Sequence, residues 1–302
     1  MYRFFPFLIL LTSLSISAQQ AGDTSFTPVN KKQSYTGPEK PLVLIDEVHN
    51  NFHTMNGRYQ AFTKVLQSDG ILVKPNRSKF NTDSLKTADV LVIANALNEK
   101  NTENWNLPNY SAFTREEIES VYHWVKDGGS LLLIADHMPF PAAAGELAAI
   151  FGFQFCNGFA LDSTNRSLTI FKRSNGTLFS HPVTNGSLPA ESIDSVRTFT
   201  GQAFLIPYSA QPILMFTKPT VSLMPKNAWE FDDKTPVISA DHWYQGATLE
   251  FGKGRIAVFG EAAMFTAQYV PQNNVWFGLK SEGAEQNEQF LLNLMHWLLK
   301  SI

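Results

Sequence analysis

With a single cysteine, Cys156, the chain can form no internal disulfide, so its stability in an oxidising compartment must come from packing. Charge is also scarce: 17% of residues are charged, against roughly 25% in typical domains. A net charge of −3 without any basic cluster excludes nucleic acid as a partner. The usual chemical signatures are missing too. There is no Gly-x-Ser-x-Gly elbow, no Walker-type phosphate loop, no Gly-x-Gly-x-x-Gly after the first strand and no His-Glu-x-x-His helix. What is abundant is apolar: 44% hydrophobic residues, with 24 Phe among them, suffice for a sizeable core.

The amino terminus reads as a secretory signal over residues 1–18, with Arg3 as its positive start and Phe4–Ile16 as its apolar stretch. Cleavage after Ala18 opens the mature chain at Gln19, and cleavage after Ser17 is the alternative. The apolar run is shorter than the ~20 residues of a stable membrane span, and no cysteine follows it to carry a lipid. The expected address is therefore periplasmic or extracellular. Residues 19–40 are polar and aperiodic, as in a flexible linker, and residues 41–302 form an α/β domain.

The first half of that domain alternates strand and helix signals. Buried-strand runs lie at 41–46, 71–74, 89–94 and 130–135, with helical stripes at 57–68, 81–88, 114–126 and 141–150. Thr114 and Glu117 form a capping-box pattern, and Gly128-Gly129 stops the helix they open. Such alternation predicts βαβ units and a mainly parallel sheet. The second half adds irregular strands at 168–171, 195–200, 213–216 and 236–240. A hairpin follows around Gly252-Lys-Gly254, then a short helix over 262–267 and an amphipathic helix over 284–299.

Ligands of open parallel sheets bind beyond the carboxyl ends of the strands. Polar residues just after each strand are Asp46, Glu47 and His49, then Asn95, then Asp136 and His137, then Glu261. His53 reads as a loop residue. Asp46, Glu47, Asp136, His137 and Glu261 are the candidate catalytic set, for general acid–base attack by water. His49, Asn95, His181, His242 and Gln268 are candidate ligand contacts. A divalent metal is a second route to the same chemistry, with His49, Asp136 and His137 as its ligands. Cys156, in an alternating aromatic stretch without a basic partner, reads as a buried structural thiol. His123 and His296 read as core or boundary histidines.

Three stretches carry a family resemblance: Leu44–Asn50 (Leu-Ile-Asp-Glu-Val-His-Asn), Gly128–His137 (Gly-Gly-Ser-Leu-Leu-Leu-Ile-Ala-Asp-His) and Phe251–Ala263. Together they resemble an exported bacterial branch of the class I glutamine amidotransferase-like superfamily. Its relatives include trehalose-utilisation-type proteins, a trimerisation domain of some β-galactosidases, and domains of gliding-motility and intraflagellar-transport proteins. The resemblance implies a three-layer, flavodoxin-like sandwich over roughly residues 40–300. It also implies a turn after the 130–135 strand on which true amidotransferases carry a nucleophilic cysteine. Here that turn holds Asp136 and His137, so thiolate glutaminase chemistry is not expected. Two readings follow. One is a hydrolase acting on a saccharide or related polar small molecule. The other is a non-catalytic glycan- or protein-binding scaffold that uses Trp105, Trp243 and Tyr244 as apolar platforms.

Overall fold

The structure, a computed structural model, describes residues 21–164, 169–217, 219–271 and 274–302. The expected signal segment, the first two linker residues and Leu168 lie outside the described residues. The frame consists of β1 (Leu42–Asp46), α1 (Gln60–Ser68), β2 (Leu72–Asn76), β3 (Val90–Ala94), α2 (Arg115–Asp127), β4 (Ser130–Ile134) and α3 (Phe140–Ala149). It is completed by β5 (Tyr244–Phe251), β6 (Gly254–Phe259) and α4 (Asn287–Leu298). These strands run in the order β2-β1-β3-β4-β6-β5, parallel as far as β6, with β5 antiparallel. Phe204–Leu205, Gln154–Phe155 and Gln211–Met215 complete a nine-stranded sheet beyond and alongside β5.

The period of two along each strand builds two cores. Val43, Ile45, Val90, Val92, Leu132, Ile134, Ala257 and Phe259 face α1 and α4, where they meet Phe62, Leu66, Phe290 and Leu294. Leu44, Leu91, Ile93, Leu131, Leu133, Ile256 and Val258 face α2 and α3, where they meet Ile118, Val121, Val125 and Leu147. This is the mainly parallel sheet that the alternation predicted, in the three-layer sandwich that the resemblance implied. Each fully buried Phe or Leu contributes about 1.5–3 kcal/mol. The capping box forms as expected: Glu117 N–H donates to Thr114 Oγ1 (3.3 Å), and Thr114 N–H donates to Glu117 Oε2 (3.1 Å). Gly128 ends α2 at φ 132°, a backbone conformation that favours glycine.

Two expectations change. Residues 21–35 are no loose linker but a strap docked on α1 and α4. Phe26 is buried, and Glu288 on α4 accepts the N–H groups of Val29 (3.0 Å) and Asn30 (2.8 Å). Lys64 Nζ donates to the carbonyls of Thr24 and Phe26, and Ala21–Gly22 pairs with Gln268 and Tyr269. The expected 262–267 helix is one 3-10 turn, Ala263–Phe265, followed by a strand, Ala267–Val270. That strand pairs with both Ala21–Gly22 and Val275–Gly278, so sheet pairing on two sides overrides the short helical pattern. No helix of the described residues is long and apolar enough to cross a membrane.

Candidate functional site

The chain leaves β1 to form β2 on one side and then returns to form β3 on the other. The crevice at the carboxyl ends of β1 and β3 is therefore the switch point of the sheet. Asp46, Asn95, Asp136 and Glu261 all reach this edge, and all are buried. Their positions beyond the strands were legible in the sequence, but their partners were not.

His49 is the first surprise. Its Nδ1 lies 2.8 Å from Asp46 Oδ2 and its Nε2 lies 3.0 Å from Glu117 Oε1, while Phe80 and Phe113 flank the ring. Two carboxylates on two ring nitrogens demand an imidazolium. Burial opposes that charge, but the bonds and charges of Asp46 and Glu117 outweigh it and raise the pKa above its usual value. Both nitrogens are spent, so His49 is a cross-link between the β1 loop and α2, not a ligand contact or metal ligand. Asp46 is its anchor, with Asn76 Nδ2 donating to the other oxygen (3.4 Å). Glu47 turns away from the edge to accept Met55 N–H (3.0 Å) and meets Arg77 at 3.4 Å.

Asn95 sits just past β3 at φ 53° and ties two histidines into one network. Its Oδ1 accepts Asp136 N–H (2.9 Å), and its Nδ2 donates to His53 Nδ1 (3.2 Å). His53 is thus a neutral ring. Burial, helped by the charge of Arg58, lowers its pKa to about 3. Asp136 Oδ1 accepts His137 N–H (2.8 Å), and its Oδ2 accepts Ala262 N–H (3.4 Å). His137 Nδ1 donates to Met138 O (2.7 Å), which leaves Nε2 as the accepting nitrogen. Aromatic rings enclose this imidazole: Phe159 stacks at 4.6 Å and Trp229 meets it edge-on at 4.5 Å. Phe140 and Trp105 lie at 5.7 and 6.1 Å.

Glu261 follows β6 and is wholly buried. Its two oxygens accept Ala263 N–H and Met264 N–H at 2.8 Å each, which opens the 3-10 turn. Burial and the charge of Asp136 push its carboxyl pKa well above the usual range, against the pull of those N–H groups. Tyr59 closes the same corner, donating to Ala262 O at 3.2 Å. Gln202, absent from the sequence-based set, is also wholly buried. It accepts Cys156 N–H (2.9 Å) and donates to Ala135 O (2.8 Å). Gln268 is buried in its strand, where it donates to Thr266 Oγ1 (2.8 Å).

Other expected residues do not join. His181 caps a short helix, Pro182–Asn185, accepting Val183 N–H at 3.1 Å. Its Nε2 donates to Thr248 Oγ1 (3.2 Å) beside Trp297, where burial and the Arg255 charge lower its pKa to about 4. It lines a cavity of about 140 Å³ with Arg255 and Glu250, toward the opposite edge of the sheet. His242 is exposed on a turn at φ 62°. Trp243 packs on the α1/α4 core and Tyr244 on the other, so only Trp105 of the three expected platforms reaches the edge. His296 pairs with Asp69 (2.7 Å), and His123 is exposed. Cys156 is a buried thiol whose pKa burial raises, 3.2 Å from Ser222 Oγ. Among the described residues no three His, Cys, Asp or Glu side chains are arranged to hold a metal ion. The expected trio fails because His49 is committed to Asp46 and Glu117, and His137 Nδ1 to a carbonyl.

The fold and edge define a flavodoxin-like α/β sandwich with a polar network at its switch point. No family model matches the chain, and no curated protein matches it. Solved structures do. The mmIFT52 N-terminal domain aligns with TM-score 0.57 and 14% identity, over 85% of this chain and 96% of that one. A cytoplasmic protein from Salmonella typhimurium (STM3548) aligns with TM-score 0.51 and 15% identity, over 85% and 98%. A thua-like protein from Bacteroides uniformis aligns with TM-score 0.47 and 12% identity, over 90% and 95%. At such identities the likeness concerns the fold alone.

Proposed function

We propose that the carboxyl edge of β4 is a binding site for a saccharide or related polar small molecule, and that the protein acts there as a non-catalytic recognition module. One observation carries this reading: His137 presents an accepting Nε2 within a wall of Trp105, Phe140, Phe159 and Trp229. Aromatic faces cover the C–H surface of a sugar while a placed imidazole takes a hydroxyl. The carboxylates, by contrast, are occupied. Asp46 and Glu117 hold His49, Glu47 holds a main-chain N–H, and both Glu261 oxygens cap a turn.

The hydrolase reading rests on a different feature. Asp136 stands beside Glu261, whose carboxyl pKa is pushed up by burial and by the Asp136 charge, and a raised carboxyl is what a general acid needs. Glu261 is wholly buried, however, and turned to the main chain, which favours binding. Calorimetric titration with a panel of mono- and oligosaccharides, with turnover followed in parallel, separates the two. Binding without turnover is expected, weakened about 10-fold or more in His137→Ala and Trp229→Ala proteins that stay folded. Failure of every sugar to bind would sink the site. Turnover that disappears in Asp136→Asn would replace recognition with hydrolysis.

A further inference from the structure

Arg58 stands at the same edge without a counter-ion. It lies in the loop between β1 and α1, with its guanidinium 3.7 Å from the centroid of the Phe52 ring. Among the described residues its one hydrogen bond is long, from Nη1 to Phe52 O at 3.4 Å, and its buried Nε has no partner. Among the described residues no carboxylate reaches it within ion-pair distance. The nearest acids in sequence are engaged elsewhere: Glu47 holds Met55 N–H and Arg77, Asp69 holds His296, and Asp46 holds His49. The same loop carries a second unspent donor, the buried Nδ2 of Asn51.

A half-buried cation left unpaired costs folding free energy unless something else supplies the charge. Burial accordingly lowers the pKa of this guanidinium, and its charge adds to the forces that keep His53 neutral. Phe52 connects Arg58 to the proposed site. Its ring lies 5.4 Å from Trp105 and 5.6 Å from Phe140, the two rings that also border His137. Trp105 and Phe140 thus each border both the Phe52 ring that carries Arg58 and the His137 imidazole.

We infer that the ligand is anionic: a saccharide bearing a carboxylate, of the uronic acid class, whose carboxylate is taken by Arg58 across the Phe52 ring. A planar guanidinium on an aromatic base suits a planar carboxylate, and a neutral sugar leaves its donors unused. This inference rests on the site proposed above and names the ligand class it takes.

The test uses the full chain and isothermal titration at low ionic strength. Glucuronate and galacturonate are compared with glucose and galactose, and acetate serves as the carboxylate alone. Uronates are expected to bind about 10-fold or more tightly than their neutral partners. Arg58→Met, which keeps a side chain on Phe52 without charge or donors, is expected to remove that preference and leave neutral-sugar binding unchanged. Its ligand-free melting temperature is expected to be no lower than that of the wild type, and Arg58→Lys is expected to retain part of the preference. Equal wild-type affinity for charged and neutral sugars would overturn the inference while leaving the saccharide site standing. So would a preference that survives in Arg58→Met, or a large loss of stability in that variant. Acetate and uronates that bind through Arg58, with no neutral sugar binding at all, would support the anion site and discard neutral saccharides as ligands.

Discussion

His49→Ala is expected to lower the unfolding free energy by about 3–5 kcal/mol, because it leaves Asp46 and Glu117 buried without the cation that pairs them. The melting temperature should fall by about 10 °C. The effect has a pH signature. The folded imidazolium has a pKa above its ordinary 6.5. The stability it confers is therefore complete below pH 6.5 and is lost as pH rises through the raised folded value. Glu117 sets the acid side. Burial raises its pKa, but the Thr114 N–H and His49 outweigh burial and hold it below its usual 4.5. Its contribution is present above that value and is lost as pH falls through the lowered one. Denaturant unfolding at a series of pH values should show the gap between wild type and His49→Ala widest near pH 6 and narrowing on the alkaline side. A gap that grows with pH would mean that the ring is neutral in the fold.

Gln202→Leu is the second change of large expected effect. Leucine matches the volume but satisfies neither Cys156 N–H nor Ala135 O, two main-chain groups at the carboxyl end of β4. Each buried group left unpaired costs about 1–3 kcal/mol, so a loss of about 3 kcal/mol and a melting temperature lower by 5 °C or more are expected. Gln202→Glu serves as the companion: the protonated carboxyl keeps an acceptor for Cys156 N–H and an O–H donor for Ala135 O, and ionisation removes the donor. It should fall between wild type and leucine while protonated and drop below leucine once ionised. A leucine variant as stable as wild type would show that water takes over both groups.

The contrast between these two residues shows what a single sequence carries. The parallel strands and their helices were legible because burial on both faces leaves continuous apolar runs, as in Ser130–Ile134, and because Thr114 and Glu117 mark a helix start. Strand ends then located Asp46, Asn95, Asp136 and Glu261. Their tasks were not legible, since partners come from remote positions: His49 meets Glu117 across 68 residues, and Gln202 meets Ala135 across 67. Glu117 announced only its capping role. The strap over residues 21–35 stayed hidden for a similar reason. It docks mainly through its main chain, to Glu288 and Lys64, and such bonds leave no hydropathic period. Trp229 reaches His137 from a charged loop, where Trp229 and the neighbouring Phe231 were the available signals.

Whether His137 faces a ligand is tested most directly by nitrogen NMR of the protein with ¹⁵N-labelled histidine, titrated with uronates and neutral sugars. The ring bonded to Met138 O should show a proton on Nδ1 and a separate Nε2 signal in the free protein. That Nε2 signal should move on addition of the binding sugar and stay put in Trp229→Ala. A His137 signal unmoved by every sugar, in a protein that remains folded, would contradict a ligand site at this edge.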